Sequence, residues 1–289
     1  MTRQEPPEPH AQWTVRSAGA DVAVFEYGRR DADTTVVLVH GYPDDHRMYE
    51  PLIAAIGDRA RVVAYDTRGG GDTLLDTPDR TASYALERLA EDFWAVVDSI
   101  PDRDGPVHVF AHDWGSVQMW EPLRDSRARV DVASYTSVSG PSIDHLRAVS
   151  RRRGLRPWQW PSLIGQLGRS WYIWGFHVPV LGKYVPTAFV KAGPNDPAPA
   201  ATPENMARGV ELYRANIVRR MIAGPEPRCE VPTTIVVPRR DRFLSPDLVE
   251  GVERWAPDLR IVRVDAKHWW PWTHPHDAAE LLLGQARPG

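Results

Sequence analysis

A chain of 289 residues accommodates one large domain, or a core carrying a substantial insertion. With 42% hydrophobic and 25% charged residues and a net charge of −3, it is neither disordered nor basic enough to suggest nucleic-acid binding. One cysteine, Cys229, excludes an internal disulfide and a thiolate metal site, and no apolar run approaches the roughly 20 residues of a membrane span.

Residues 1–12 are rich in Pro and Glu, without the apolar run of a signal peptide, and read as a flexible tail. A cytoplasmic setting follows as the expectation. Residues 13–16 and 22–27 alternate apolar and polar around a Gly-containing turn, as a hairpin does. Residues 34–40 form a nearly continuous β-branched run ending at Gly41, which suits a strand buried on both faces. Further strands are predicted over 61–65, 107–111, 130–138, 233–237 and 260–264, with helices over 48–56, 83–100, 115–125, 246–255 and 275–283. In the second helix Leu86, Leu89, Phe93, Val96, Val97 and Ile100 recur at helical spacing. Strands alternating with helices imply an α/β fold with a mostly parallel central sheet. The alternation stops over 141–229, a Trp- and Pro-rich stretch read as a helical cap inserted between core segments 13–140 and 230–289.

The chemistry begins at Ala111-His-Asp-Trp-Gly115. A strand running into a helix through so tight a bend needs small residues two places before and after its central residue, and Ala111 and Gly115 supply them around Asp113. A carboxylate there is ionised at neutral pH and can attack saturated carbon to give an ester; the plainer alternative is an N-cap for the next helix. Hydrolysis of an ester passes through an oxyanion that needs N–H donors. The N–H groups of Trp114 and of Tyr42, in His40-Gly-Tyr-Pro43, are the expected pair, with His40 bracing the loop; an ordinary Gly-Pro turn is the alternative.

These motifs resemble the α/β-hydrolase superfamily, in particular its aspartate-nucleophile branch of epoxide hydrolases and haloalkane dehalogenases. Asp66-Thr-Arg-Gly-Gly-Gly-Asp72 is similar to a turn of that superfamily. The resemblance implies Asp241 as the acid and His268 as the base, each after a late strand, with Asp144 as a substitute acid and Asp265 as a turn residue. It implies no cofactor. His274 and His276 lack a third ligand at suitable spacing, so no metal is expected.

The branch divides on its leaving group. Halide leaves as a stable anion, whereas an epoxide oxygen benefits from a proton donor such as tyrosine. Ser170-Trp-Tyr-Ile-Trp-Gly-Phe-His-Val-Pro179 and Glu211-Leu-Tyr-Arg-Ala-Asn216 are similar to segments holding the two cap tyrosines of epoxide hydrolases, giving Tyr172 and Tyr213, with Tyr184 in reserve. Tyr42 stands where dehalogenases commonly carry asparagine. Three segments, 111–116, 136–142 and 268–275, look most like the hydrolase half of actinobacterial proteins that fuse an epoxide-hydrolase-like domain to a short-chain dehydrogenase; no dehydrogenase half is expected in a chain ending at Gly289. Lys267 and Thr273 depart from the usual glycine and glutamate of such relatives. The implied activity is hydrolysis of a small-molecule epoxide to a vicinal diol. Trp171, Trp174, Phe176 and Trp269 are the candidate substrate-binding residues, and the abundance of cap aromatics favours a bulky or aromatic epoxide. Haloalkane dehalogenation and a non-catalytic, ligand-binding member of the fold are the rivals, and a homodimer is left open.

Overall fold

In a computed structural model of the chain, residues 6–154, 165, 168, 171–177, 198–226 and 228–286 are described. In chain order the strands are β1 (Ala11–Ser17), β2 (Ala20–Gly28), β3 (Thr35–Val39), β4 (Arg61–Tyr65), β5 (Leu74–Leu75), β6 (Val107–His112), β7 (Val132–Val138), β8 (Thr233–Pro238) and β9 (Leu259–Val264). The helices are α1 (Glu50–Ile56), α2 (Leu86–Ser99), α3 (Trp114–Met119), α4 (Ala128–Asp131), α5 (Ile143–Gly154), α6 (Trp171–Phe176), α7 (Pro203–Ile222), α8 (Trp270–Thr273) and α9 (Pro275–Ala286).

The sheet runs β1-β2-β4-β3-β6-β7-β8-β9, with β5 attached to β2. Pairs β1/β2 and β2/β4 are antiparallel; every pair from β4 to β9 along that order is parallel. Side chains alternate across a strand, so β3 divides its burial between two layers. Val37 and Val39 join Phe93, Val96 and Val97 of α2, whereas Val36 and Leu38 join Leu52, Ile53 and Ile56 of α1 and Leu282 of α9. Both faces being covered explains why β3 and β4 are buried at every position.

Several boundaries differ from the sequence reading. The hairpin starts inside the expected tail: Ala11 and Gln12 pair with Glu26 and Phe25, so the core begins at residue 11. Val130 and Asp131, read as strand, close α4, where Val130 is exposed and gains nothing from a sheet. The helix expected over 246–255 is two 3₁₀ turns, Pro246–Val249 and Val252–Arg254, separated at Gly251, whose φ of 89° ends any right-handed helix. The helix expected over 115–125 stops at Met119 and resumes as a 3₁₀ turn at Pro122, which has no N–H to continue it. Cys229 is buried, its thiol beside Thr233.

Helix α7 packs on the residues before and after the sheet's central bend through Val210, Leu212 and Tyr213, which cluster with Tyr84, Leu86, Leu89, Trp114 and Phe176. Among the described residues, no helix is long and apolar enough to cross a membrane.

Candidate active site

The strand-to-helix bend after β6 holds Asp113 at φ 52° and ψ −123°, a conformation that costs a non-glycine residue free energy and persists where the surroundings impose it. Its N–H donates to the Val138 carbonyl at 2.9 Å. Gly115 packs so closely on the end of β3 that a Cβ would collide with the carbonyls of Val39 and His40. That contact is the physical demand behind the small residue two places past Asp113.

Two loops reach the carboxylate, and a third supports one of them. From the end of β3, the Tyr42 N–H donates to Asp113 Oδ1 at 2.8 Å. Gly41 passes so near that a Cβ would strike Asp113 and the Trp114 nitrogen, so the chain on either side of both expected oxyanion donors is closely packed. His40 sits below: Thr67 N–H donates to its Nε2 at 2.9 Å, so Nδ1 carries the proton and donates to the Gly41 carbonyl at 3.0 Å. Burial holds this imidazole below its ordinary pKa, as a neutral brace requires.

From the loop after β9 comes His268, its Nε2 3.5 Å from Asp113 Oδ2. Its Nδ1 donates to Asp241 Oδ2 at 2.8 Å, and Asp241 Oδ1 accepts from the N–H groups of Phe243 and Leu244 at 2.8 and 3.1 Å. Burial alone would lower the His268 pKa, but Asp241 and Asp113 on either side push it up to about 10. Burial likewise opposes ionisation of Asp241, yet the imidazole and the loop N–H groups carry it below the ordinary carboxylate value. Asp113, Asp241 and His268 therefore form one hydrogen-bonded and ion-paired array.

The substitute acid lies elsewhere. Asp144, on α5, is buried against Arg220 of α7 at 2.6 Å, and Arg220 also meets Glu121 and Glu87. Asp265 is exposed, in an ion pair with Arg240. Lys267, Thr273, His274 and His276 are all exposed. Among the described residues, Asp45, His46 and Asp66 could converge on a cation, but their oxygens already accept from Arg47, Asn205, His46 and Asp72.

Tyr213 is buried over this floor, its ring edge-on to Trp114 (centroids 4.8 Å apart), Phe176 (4.8 Å) and Tyr42 (5.4 Å). Phe176, at the end of α6, is buried in the same group, and its carbonyl accepts from Arg214 at 2.7 Å. The backbone of Tyr172, Trp171 and Trp174 belongs to α6; their side chains, and Tyr184 entirely, lie outside the described residues. Trp269 is buried beside His268 with its indole N–H on Asp44 Oδ2 at 2.7 Å.

Two further buried groups lie near the site, and the sequence reading singled out neither for a role in the chemistry. Asp44 also accepts from Ala200 N–H at 2.8 Å, and burial pushes its pKa up to about 7 despite both donors. His112 donates from Nε2 to the His268 carbonyl at 3.0 Å, and burial lowers its pKa to about 4, keeping it neutral. Each role depends on partners far along the chain, and no local pattern marks them.

Comparison with known proteins places these observations. The alpha/beta hydrolase fold family matches residues 34–275. "Probable oxidoreductase EphD" of Mycobacterium tuberculosis is 34% identical over 293 residues, covering 92% of this chain and 49% of that protein. "Bifunctional epoxide hydrolase 2" of Mus musculus is 20% identical over 283 residues, covering 85% and 50%. The chain thus spans about half the length of the curated relatives it matches. Among solved structures, an epoxide hydrolase of Bacillus megaterium in complex with an inhibitor superposes with a TM-score of 0.75 at 17% identity, covering 95% of this chain and 99% of its own. A structure of epoxide hydrolases from metagenomes of hot environments gives 0.75 at 24% identity, covering 96% and 99%. At these identities the structural likeness speaks for the fold.

Proposed function

Because the chain belongs to the alpha/beta hydrolase fold family, we propose that the carboxylate at its bend acts as a nucleophile and that the protein hydrolyses an epoxide to a vicinal diol. The observation that carries this reading is the array itself: Asp113 held by the Tyr42 N–H, with the His268–Asp241 pair on its other oxygen. The resemblance to epoxide hydrolases in both sequence and fold supports the choice of substrate class.

In the first step an Asp113 oxygen attacks an epoxide carbon, the ring C–O bond breaks, and the alkoxide takes a proton from the Tyr213 hydroxyl, with Tyr172 as its partner. Asp113 loses its charge on becoming an ester. One of the two anions that hold the His268 pKa at about 10 has then gone, so the imidazolium releases its proton more readily and can restore the tyrosine. Neutral His268, oriented by Asp241, next takes a proton from water, and the hydroxide adds to the ester carbon. The Tyr42 and Trp114 N–H groups hold the resulting oxyanion until it collapses: the ester C–O bond breaks, the departing alkoxide takes the proton of the newly formed acid to become the diol, and the Asp113 carboxylate is regenerated beside the His268 imidazolium. Tyr42 in place of an amide side chain, and a buried tyrosine over Trp114, favour epoxide over halide. The aromatic roof of Tyr42, Phe176 and Tyr213 favours a bulky or aromatic substrate.

Single turnover in ¹⁸O-labelled water, with enzyme in excess over an epoxide such as styrene oxide, tests the reading. Ester chemistry takes the new diol oxygen from unlabelled Asp113, so the first diol carries no label. Labelled diol in that first turnover means direct attack by water and removes the nucleophile role.

A further inference from the structure

Tyr42 touches both halves of the site at once. Its N–H lies on Asp113 Oδ1, its hydroxyl donates to the Met206 carbonyl of α7 at 3.0 Å, and its ring stands edge-on to Tyr213 at 82°. Gly209, three residues beyond Met206, lies so close to this ring that a Cβ would collide with it, and the helix backbone rests directly on the aromatic surface.

An oxyanion donor needs only the main chain of residue 42, and a phenyl ring would fill the same space. The hydroxyl is the extra feature, and it reaches the helix backbone. A helical carbonyl keeps a second lone pair beyond its bond along the helix, so the phenol adds a tie without displacing one. Other ties flank it. Asn205 spans Asp45 and the Gly71 N–H near the start of α7, and Asn216 spans the Leu86 N–H and Tyr84 carbonyl further along. Tyr213 lies between them, and Tyr42 both touches it and holds a carbonyl two turns before it.

We propose that the Tyr42 hydroxyl is a positioning group: by holding the Met206 carbonyl it sets the height of Tyr213 above the Asp113 carboxylate. This rests on the reading above, in which ring opening needs Tyr213 and Asp113 on the epoxide together, whereas ester hydrolysis needs only the floor residues. The tie therefore bears on one step and not on the other.

Tyr42→Phe keeps the ring and the N–H and removes the hydroxyl with its bond to the Met206 carbonyl. Rapid-quench mass spectrometry with styrene oxide follows the ester on Asp113 as it forms and decays, and hydrogen exchange follows the amides of residues 206–213. The expected result is ester formation slowed about 5- to 10-fold, the range of one lost hydrogen bond, with decay within about twofold and severalfold faster exchange in 206–213. Gly209→Ala, which pushes the helix off the ring, should give the same asymmetry. Formation unchanged in Tyr42→Phe, formation and decay slowed in equal proportion, or unchanged exchange would each overturn the proposal. Should the wild-type protein form no ester with any epoxide, the proposed function fails, and the exchange data alone decide whether the tie positions α7.

Discussion

The floor of the site and its roof are built from different kinds of bond. Asp113, Asp241 and His268 stand at the ends of β6, β8 and β9, and their loops are fixed by backbone contacts: Asp113 N–H on the Val138 carbonyl, Asp241 N–H on the Pro238 carbonyl, Arg240 N–H on the Ala266 carbonyl, and Gly115 against β3. The roof helix α7 is held by side chains instead. Asn205, Asn216 and Arg220 are all buried and reach from the helix into the core, and Tyr42 reaches the other way. Backbone ties constrain the floor whatever the neighbouring side chains are, so it can keep strained geometry such as that of Asp113. Side-chain ties can be retuned one at a time, which suits the half of a site that meets variable substrate.

Substitutions should expose this difference. The largest effect is expected on the floor: Asp241→Asn leaves His268 unoriented and should slow ester hydrolysis by about 10³- to 10⁴-fold, read as ester accumulation in stopped reactions. Loss of diol formation without accumulation would place Asp241 outside the second step. Tyr213→Phe, in the roof, should slow ring opening by about tenfold or more, less than the roughly 10²- to 10⁴-fold of a sole general acid because the proposed second tyrosine would share the task; an unchanged single-turnover rate would contradict it. Asp144→Ala should cost about 3 kcal/mol of stability by leaving Arg220 less well paired in a buried position, measured by urea unfolding. The folded fraction should retain ester hydrolysis within about twofold, and a collapse of that rate would restore Asp144 as the acid.

A smaller effect is expected from pH. The folded-state pKa of His268, about 10, lies above its ordinary 6.5, so its contribution to stability is complete below about pH 6.5 and is lost as pH rises through about 10. Melting temperatures of the wild-type protein should therefore fall more steeply toward alkaline pH than those of His268→Gln. Parallel curves would mean that the two carboxylates do not hold the imidazolium. On the acid side, His112, with a pKa of about 4, should cost stability as pH drops below 6.5, because the unfolded chain binds the proton first.

Much of the floor was legible because its residues carry local signatures. A β-branched run ending in His-Gly or in Ala-His-Asp-Trp-Gly reports both a buried strand and the bend after it, and β3 and β6 follow those runs to within a residue or two. Asp241 and His268 each follow such a run. The pairing of β6 with β3 and β7, which sets the bend between its neighbours, leaves no trace in local spacing. Asp44 was opaque for the same reason: its partners Ala200 and Trp269 are 156 and 225 residues away. Local pattern also misled where apolar spacing over 246–255 suggested one helix and Gly251 divides it. Trp269 has a role that its sequence context does not show, since its indole N–H holds the buried carboxyl group of Asp44.

The most direct measurement is the mass of the peptide containing Asp113 after His268→Gln is incubated with an epoxide. With the base gone and the nucleophile intact, that peptide should gain the mass of the substrate and keep it. A folded variant that binds the epoxide yet leaves Asp113 unmodified would contradict covalent catalysis at this residue.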